Sequence, residues 1–320
     1  MVEYYDEIII SSGGNKGIAL IGALTEFTNN YPINKIKYYT GCSFGSIICL
    51  GLNIGYTISE LNDIGFKINF GTFQDLKIIN LIEKCGLDEG IKFSNFLKAI
   101  IMNKNYNSNI TFKELYDVTN KVLTVTTVNI TKGISEYHNY ITTPDLSVLL
   151  SIRMSINMPI VFSPILYNNN YYIDGALLDP FPYFYNKNTK KCGLWLFEKY
   201  EFNFLKDSSV NFINELSNSY SYIMDLLKIL HVNYVKKYYK KIPKNVVYID
   251  LSYNNISFDN FDVTLTDRQT MFKNGMKKCN LFFKRKCRRK RRKYLYSKYF
   301  HIWVKNVDSS NSWNQEMLIV

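Results

Sequence analysis

Histidine is scarce in this chain of 320 residues: it occurs three times, and none of the six cysteines forms a C-x-x-C pair. That argues against a zinc site, whose ligands come as closely spaced Cys and His. Cys42, Cys49, Cys85, Cys192, Cys279 and Cys287 are scattered, which suits a reducing compartment better than a disulfide framework. With seven prolines spread along it, the chain has no Pro- or Gly-rich linker, and it shows no internal repeat. The longest uncharged stretch, residues 38–59, is broken by Gly41, Ser43, Gly45, Ser46, Gly51, Asn53 and Gly55. It reads as a buried strand, turn and helix rather than a membrane span. The first seven residues hold three acids and no base, so no secretory signal is expected.

Acid is absent from one place in particular. Between Lys277 and Lys298 there are twelve basic residues and no Asp or Glu; the rest of the chain holds as many bases as acids, 27 of each. The net charge of +12 therefore belongs to one segment and not to the body of the protein. Hydrophobic residues make up 47% of the chain and charged residues 21%, which excludes a disordered chain, a collagen-like fibre or a coiled-coil rod.

The opening is patterned as strand, Gly-rich turn, helix. Ile8-Ile9-Ile10 suits a strand buried on both faces; the turn follows at 11–15, and Ile18, Ile21 and Leu24 then recur at helical spacing. A second strand at 36–40 runs into Gly41-Cys42-Ser43-Phe44-Gly45, with a helix expected from about Ser46. Two such units in succession argue for a parallel, helix-covered sheet. Further on, 61–121 reads as mainly helical and 122–131 as a strand. A helix is expected over 144–157 with Thr143 as its cap, and a hairpin over 165–174 with Asn168-Asn169-Asn170 at its tip. Strands are expected at 192–197 and 246–251, one or two helices over 209–241, and a helix from Leu265-Thr266-Asp267 into the basic segment.

Three of these turns carry residue types that do chemistry. Gly41-Cys42-Ser43-Phe44-Gly45 fits G-x-S-x-G, in which the glycines allow a sharp strand-to-helix turn that pushes the serine hydroxyl out at the top of the sheet. Gly13-Gly14-Asn15-Lys16-Gly17 presents backbone N–H groups at a helix N-terminus, fit for an anion or an oxyanion. It matches neither G-x-G-x-x-G nor the Walker A pattern, which disfavours nucleotide binding. Asp174-Gly175-Ala176 ends a strand, as a site acid or a turn-capping Asp would. A triad in the order Ser, Asp, His would need His231 or His301, and neither has a recognisable motif around it. A serine activated directly by a carboxylate is the better reading.

In this order and context the three motifs resemble the patatin-like phospholipases, which include the catalytic domains of cytosolic phospholipases A. The segments 153–164 and 173–180 and the helix through Gly275 are similar to further segments of that family, so the resemblance covers about residues 5–280. It implies a three-layer α/β/α domain with a central, mostly parallel sheet over 1–276, followed by a basic, aromatic-rich segment over 277–320. It implies Ser43 as nucleophile, Asp174 as its base without a histidine, and Gly13 and Gly14 as oxyanion donors. Lys16, Gly17, Gly41, Gly45 and Gly175 complete the motifs, and no metal or cofactor is implied. Ser12 stands where the family usually has a third glycine, and Asp179 where many relatives have Asn. A carboxylate is a weak base for a serine hydroxyl and must be held close to it in a dry site.

The expected function is thus a lipid acyl hydrolase, of phospholipase A or lysophospholipase type, acting through an acyl-serine. The rivals are a catalytically idle membrane- or nucleic-acid-binding relative and a Ser-His-Asp esterase. Basic residues beside Phe272, Met276, Phe283, Tyr294 and Trp303 suit an anionic membrane surface over 277–298. Residues 284–293 also fit a nuclear-import address, and less well a nucleic-acid patch. The expectation is a cytoplasmic protein, peripheral on membranes.

Overall fold

The computed structural model describes residues 4–67, 70–73, 75–197, 223, 226, 227, 229, 243, 245–251 and 263–309, with the side chains of the last helix described to Arg288. Strand β1 (Glu7–Ile10) is buried at every position, the consequence of its unbroken Ile run. It lies between β2 (Tyr38–Cys42) and β9 (Lys191–Phe197), parallel to both. Outward on one side comes β10 (Val246–Asp250), parallel to β9. On the other comes β4 (Val122–Asn129), parallel to β2. Beyond it β8 (Asn170–Asp174) runs antiparallel to β4, and β7 (Ile165–Tyr167) closes a hairpin with β8. β5 (Ile134–His138) also pairs with β4, antiparallel. The sheet is therefore mostly parallel with an antiparallel margin, and helices cover both of its sides.

A second, two-stranded sheet joins β3 (Gly86–Asp88) to β6 (Ile160–Phe162). The helices with described ends are α1 (Ile18–Asn30), α2 (Phe44–Asn53), α3 (Ile58–Lys67), α4 (Ile78–Lys84), α5 (Ile91–Met102), α6 (Phe112–Thr119), α7 (Val148–Ser155) and α8 (Leu265–Ser309). The first turns of α8 sit directly on α1. A Cβ on Gly275 would lie 1.9 Å from the Ala19 carbonyl oxygen, and one on Gly22 would lie 2.1 Å from that of Phe272. Met1–Cys279 and Asn280–Val320 form two compact units. No helix among the described residues is long and apolar enough to cross a membrane.

Several boundaries differ from the sequence pattern, each for a local reason. α2 starts at Phe44, immediately after Ser43, rather than at Ser46. α7 starts at Val148 after Ser147, and Thr143 does not cap it. Residues 144–146 are taken up otherwise: the Pro144 and Leu146 carbonyls accept from Lys113 and Phe112 N–H. β4 ends at Asn129, where a turn with Gly133 at φ 67° leads into β5. The two-residue tip of the β7–β8 hairpin is Asn168-Asn169, both at positive φ (47° and 60°), as a type I′ turn requires. The helix expected over 209–241 lies outside the described residues except at Ile223, Leu226, Leu227 and Ile229, which are helical.

This topology decides where the motifs meet. β1 and β2 are parallel neighbours, so the turns after their C-terminal ends lie side by side, the usual place for a site in such a sheet. On β4, Thr126 faces Cys42 in one ladder and Thr127 faces Asp174 in the other. Two consecutive residues of one strand thus bring the end of β8 to the turn after β2.

Candidate active site

Ser43 is the junction of β2 and α2, and its backbone is held at φ 50°, ψ −125°. A non-glycine residue in such a region costs on the order of 1–3 kcal/mol and persists only where its surroundings hold it. Those surroundings are specific. The Ser43 N–H donates to Ser155 Oγ at 2.8 Å, and that hydroxyl donates to the Thr126 carbonyl at 2.7 Å. The Ser43 carbonyl accepts from both the N–H and the hydroxyl of Ser46, at 2.8 and 2.6 Å. A Cβ on Gly45 would stand 2.4 Å from the carbonyl oxygens of Ile10 and Ser11, so this turn can approach the end of β1 only with glycine there. The Ser43 side chain makes no capping bond to α2.

Its hydroxyl instead donates to Asp174 Oδ2 at 2.7 Å. The other carboxylate oxygen accepts from the Ala176 N–H at 2.8 Å, and the Asp174 N–H donates to the Asn157 carbonyl at 2.9 Å. Asn157 is fixed in turn, its side-chain amide donating to the Ser163 carbonyl at 2.9 Å. Ser43 and Asp174 are 7% and 8% exposed, dry enough for their bond to be strong. Cys42, next to both, has its thiol pushed well above the usual range by burial and by the Asp174 and Asp179 carboxylates; it is an inert thiol.

The glycine turn takes its place beside this pair. Gly14 has φ 47°, and a short 3-10 turn, Gly14–Gly17, leads directly into α1. Neither the Gly13 nor the Gly14 N–H has an acceptor among the described residues. Ser12 is absent from the residues at positive φ and donates its N–H to the Pro180 carbonyl at 2.8 Å, so its Cβ is tolerated. Lys16 is buried and partnered. A Cβ on Gly17 would fall 2.0 Å from the Phe44 ring, so the glycine turn touches the residue that follows Ser43. Gly175 closes the third side: a Cβ there would lie 2.4 Å from the Thr126 carbonyl oxygen.

His138 lies close by but is engaged elsewhere, with Nε2 2.9 Å from Thr127 Oγ1 and Nδ1 3.4 Å from Thr143 Oγ1. Burial pushes it down to about 4, so it is neutral at pH 7. Neither Ser43 nor Asp174 is among its partners. His231 and the side chain of His301 lie outside the described residues. Asp179 accepts from the Tyr137 hydroxyl at 2.6 Å, and Tyr137 stacks on Tyr185. Ser155, Asn157 and Thr126 carry no motif of their own. The place of Ser155 and Asn157 in the segment 153–164 could have pointed to those two, and nothing in the sequence marked Thr126.

A small apolar cavity of about 30 Å³, lined by Phe44, Ile47, Gly51, Leu61, Ile64 and Phe96, lies between α1, α2, α3 and α5. Its one hydroxyl, on Tyr56, is tied to the Ile100 carbonyl at 3.0 Å.

The family model for Patatin-like phospholipase matches residues 8–185, more than half of the chain. A probable lipid hydrolase of Invertebrate iridescent virus 6 is 37% identical over 233 residues, which are 66% of this chain and 78% of that protein. An uncharacterized protein of Acanthamoeba polyphaga mimivirus is 29% identical over 277 residues, 84% of this chain and 91% of that one. Among solved structures, VipD from Legionella pneumophila superposes with a TM-score of 0.59 at 16% identity, covering 88% of this chain and 67% of VipD. The type III effector ExoU gives 0.50 at 13% identity, covering 88% of this chain and 53% of ExoU. Identities this low speak to the fold alone.

Proposed function

The chain belongs to the patatin-like phospholipase family, a family of lipid hydrolases, and from that premise we propose that it is a serine acyl hydrolase of phospholipase A or lysophospholipase type in which Ser43 and Asp174 form the catalytic dyad. The observation that carries the reading is the 2.7 Å bond from the strained Ser43 to Asp174 Oδ2. In the reaction, Asp174 takes the hydroxyl proton as Ser43 Oγ attacks the ester carbonyl. The tetrahedral oxyanion is met by the free N–H groups of Gly13 and Gly14, donors of a kind worth about 2.7–4 kcal/mol each. Asp174 then passes the proton to the departing alcohol, leaving acyl-Ser43. Water, deprotonated by Asp174, attacks the acyl carbon, and Asp174 returns that proton to Ser43 Oγ as the fatty acid is released. Holding Asp174 through Ala176 and Asn157 keeps its Oδ2 on the serine throughout.

The apolar lining of the small cavity beside Phe44 is in keeping with an apolar, fatty-acyl substrate, whose chain would have to part those side chains to enter. Phe44, adjacent to Ser43, is the side chain that touches both the glycine turn and the cavity. The chain's excess charge supports docking on anionic membrane through 277–298. The reading is tested by incubating the protein with a fluorophosphonate probe, mapping the labelled residue, and following release of free fatty acid from phospholipid and lysophospholipid. Labelling at Ser43 with fatty-acid release is expected; labelling at another serine refutes the assignment.

A further inference from the structure

We propose that α4 is a lipid-docking helix that inserts its apolar face at the boundary between headgroups and acyl chains of a phospholipid surface. Its amphipathicity is inverted. The residue it buries is a polar one, Asn80, while Ile78 and Ile82 are 81% and 78% exposed. At about 100° per residue, Ile78, Ile79, Leu81 and Ile82 spread over an arc of about 160°, with Asn80 opposite. Leu76 before the helix and Ile91 after β3 are also at least half exposed. Isolated exposed apolar residues are ordinary, but a contiguous patch marks an interaction surface.

The face is held out rather than left loose. Asp88, buried on β3, accepts from the Asp75 N–H with one oxygen at 2.7 Å and from the Gly90 N–H with the other at 2.6 Å. The Lys77 N–H donates to the Leu87 carbonyl at 2.8 Å. The chain entering α4 is therefore pinned to the short strand that follows it. That strand is tied to the dyad: the Ser163 N–H donates to the Asp88 carbonyl, Asn157 donates to the Ser163 carbonyl, and Asp174 donates to the Asn157 carbonyl.

A lipid surface fits this face better than a charged macromolecule does. Lys77 and Lys84 are already paired, with Asp75 at 3.2 Å and Glu89 at 2.7 Å, so the helix offers apolar area and no spare cation. The inference rests on the lipid-hydrolase reading, which supplies the reason for the protein to meet such a surface. It differs from docking by the basic segment in needing neither anionic lipid nor low salt.

The test is flotation of the full chain with pure phosphatidylcholine vesicles in 1 M NaCl, where the screening length is about 3 Å and the basic segment is silenced. Wild type is expected to float. Ile78→Asp combined with Ile82→Asp is expected to lower partition about 100-fold, with turnover of a water-soluble short-chain ester and the thermal midpoint unchanged. Ile78→Trp, which keeps an apolar side chain, is expected to bind and to shift its emission to the blue on vesicles. Failure of wild type to float, partition of the double variant equal to wild type, or no emission shift in Ile78→Trp overturns the proposal. A wild-type dimer that the double variant converts to monomer also overturns it, by giving the face to a second copy. Flotation reads no turnover, so a protein that floats yet hydrolyses no ester refutes the hydrolase reading alone.

Discussion

Ser43 and Asp174 lie 131 residues apart in sequence and are joined by a bond of 2.7 Å. No imidazole is bonded to either residue among the described residues, so in the proposed reaction the carboxylate does all the proton transfer. Ser43→Ala is expected to reduce ester hydrolysis to background, and Asp174→Asn to lower it by about 100- to 10,000-fold, the range of general-base catalysis. Asp174→Asn keeps an oxygen for the Ala176 N–H, so its fold is expected to persist by circular dichroism. Wild-type turnover in either purified variant refutes the dyad.

His138 offers a pH test of the same assignment. Its folded-state pKa of about 4 lies below the ordinary 6.5 because burial disfavours the imidazolium. The unfolded chain therefore takes up the proton first. The stability linked to His138 is fully present above about pH 6.5 and is lost as pH falls towards 4, by up to roughly 3 kcal/mol. In urea titrations the gap between wild type and His138→Asn is expected to narrow over that window. Turnover of a soluble ester at pH 7.5 is expected to stay near wild type in His138→Asn, His231→Ala and His301→Ala. A loss above about 1000-fold in one of them, with folding preserved, restores a histidine triad.

The sheet and the two turns were legible because their signals are local. An Ile triplet marks β1; Gly17, Gly41 and Gly45 are placed where a Cβ would collide with backbone or with Phe44, and Gly14 holds a positive φ. What lay beyond the pattern is long-range. Ser155 matters because it bridges the Ser43 N–H to Thr126, a relation fixed by the packing of α7 and not by any spacing in sequence. β5, Ile-Ser-Glu-Tyr-His, lacks apolar alternation and is a strand only because β4 offers it a ladder. α4 reads as an ordinary short helix, since the sequence does not say which of its faces is turned outward.

The cavity at Phe44 gives a chain-length prediction. A Cβ on Gly51 would meet Leu61 Cδ2 at 2.8 Å, the tip of a flexible side chain that can give way. Gly51→Ala is therefore expected to fold, with the helix itself favoured by roughly 0.5–1 kcal/mol, and to narrow the cavity. The ratio of kcat/KM for a long-chain ester to that for a short-chain ester is expected to fall about tenfold, the worth of a methylene or so in a snug apolar pocket. An unchanged ratio separates this cavity from the acyl chain.

The basic segment is the remaining test, and its logic is electrostatic. The body holds equal numbers of acids and bases, so attraction to an anionic surface resides in 277–298. Each basic residue near such a surface is worth about 1 kcal/mol, and twelve of them, even at half that value, exceed what a weakly bound peripheral protein needs. Truncation is a poor probe, because Cys279 is fully buried and α8 packs on α1 through Gly275. Reversing Arg288, Arg289, Arg291 and Arg292 to Glu leaves those contacts alone. The variant is expected to lose its preference for vesicles containing phosphatidylserine over pure phosphatidylcholine, while hydrolysing a soluble ester as wild type does. The wild-type preference is expected to vanish between 0.1 and 1 M NaCl, as the screening length falls from about 10 to 3 Å. If the preference survives both charge reversal and salt, the segment does not dock the enzyme on membranes. Its charge then serves another acidic partner, and nuclear accumulation of a fluorescent fusion carrying 284–293 becomes the measurement to make.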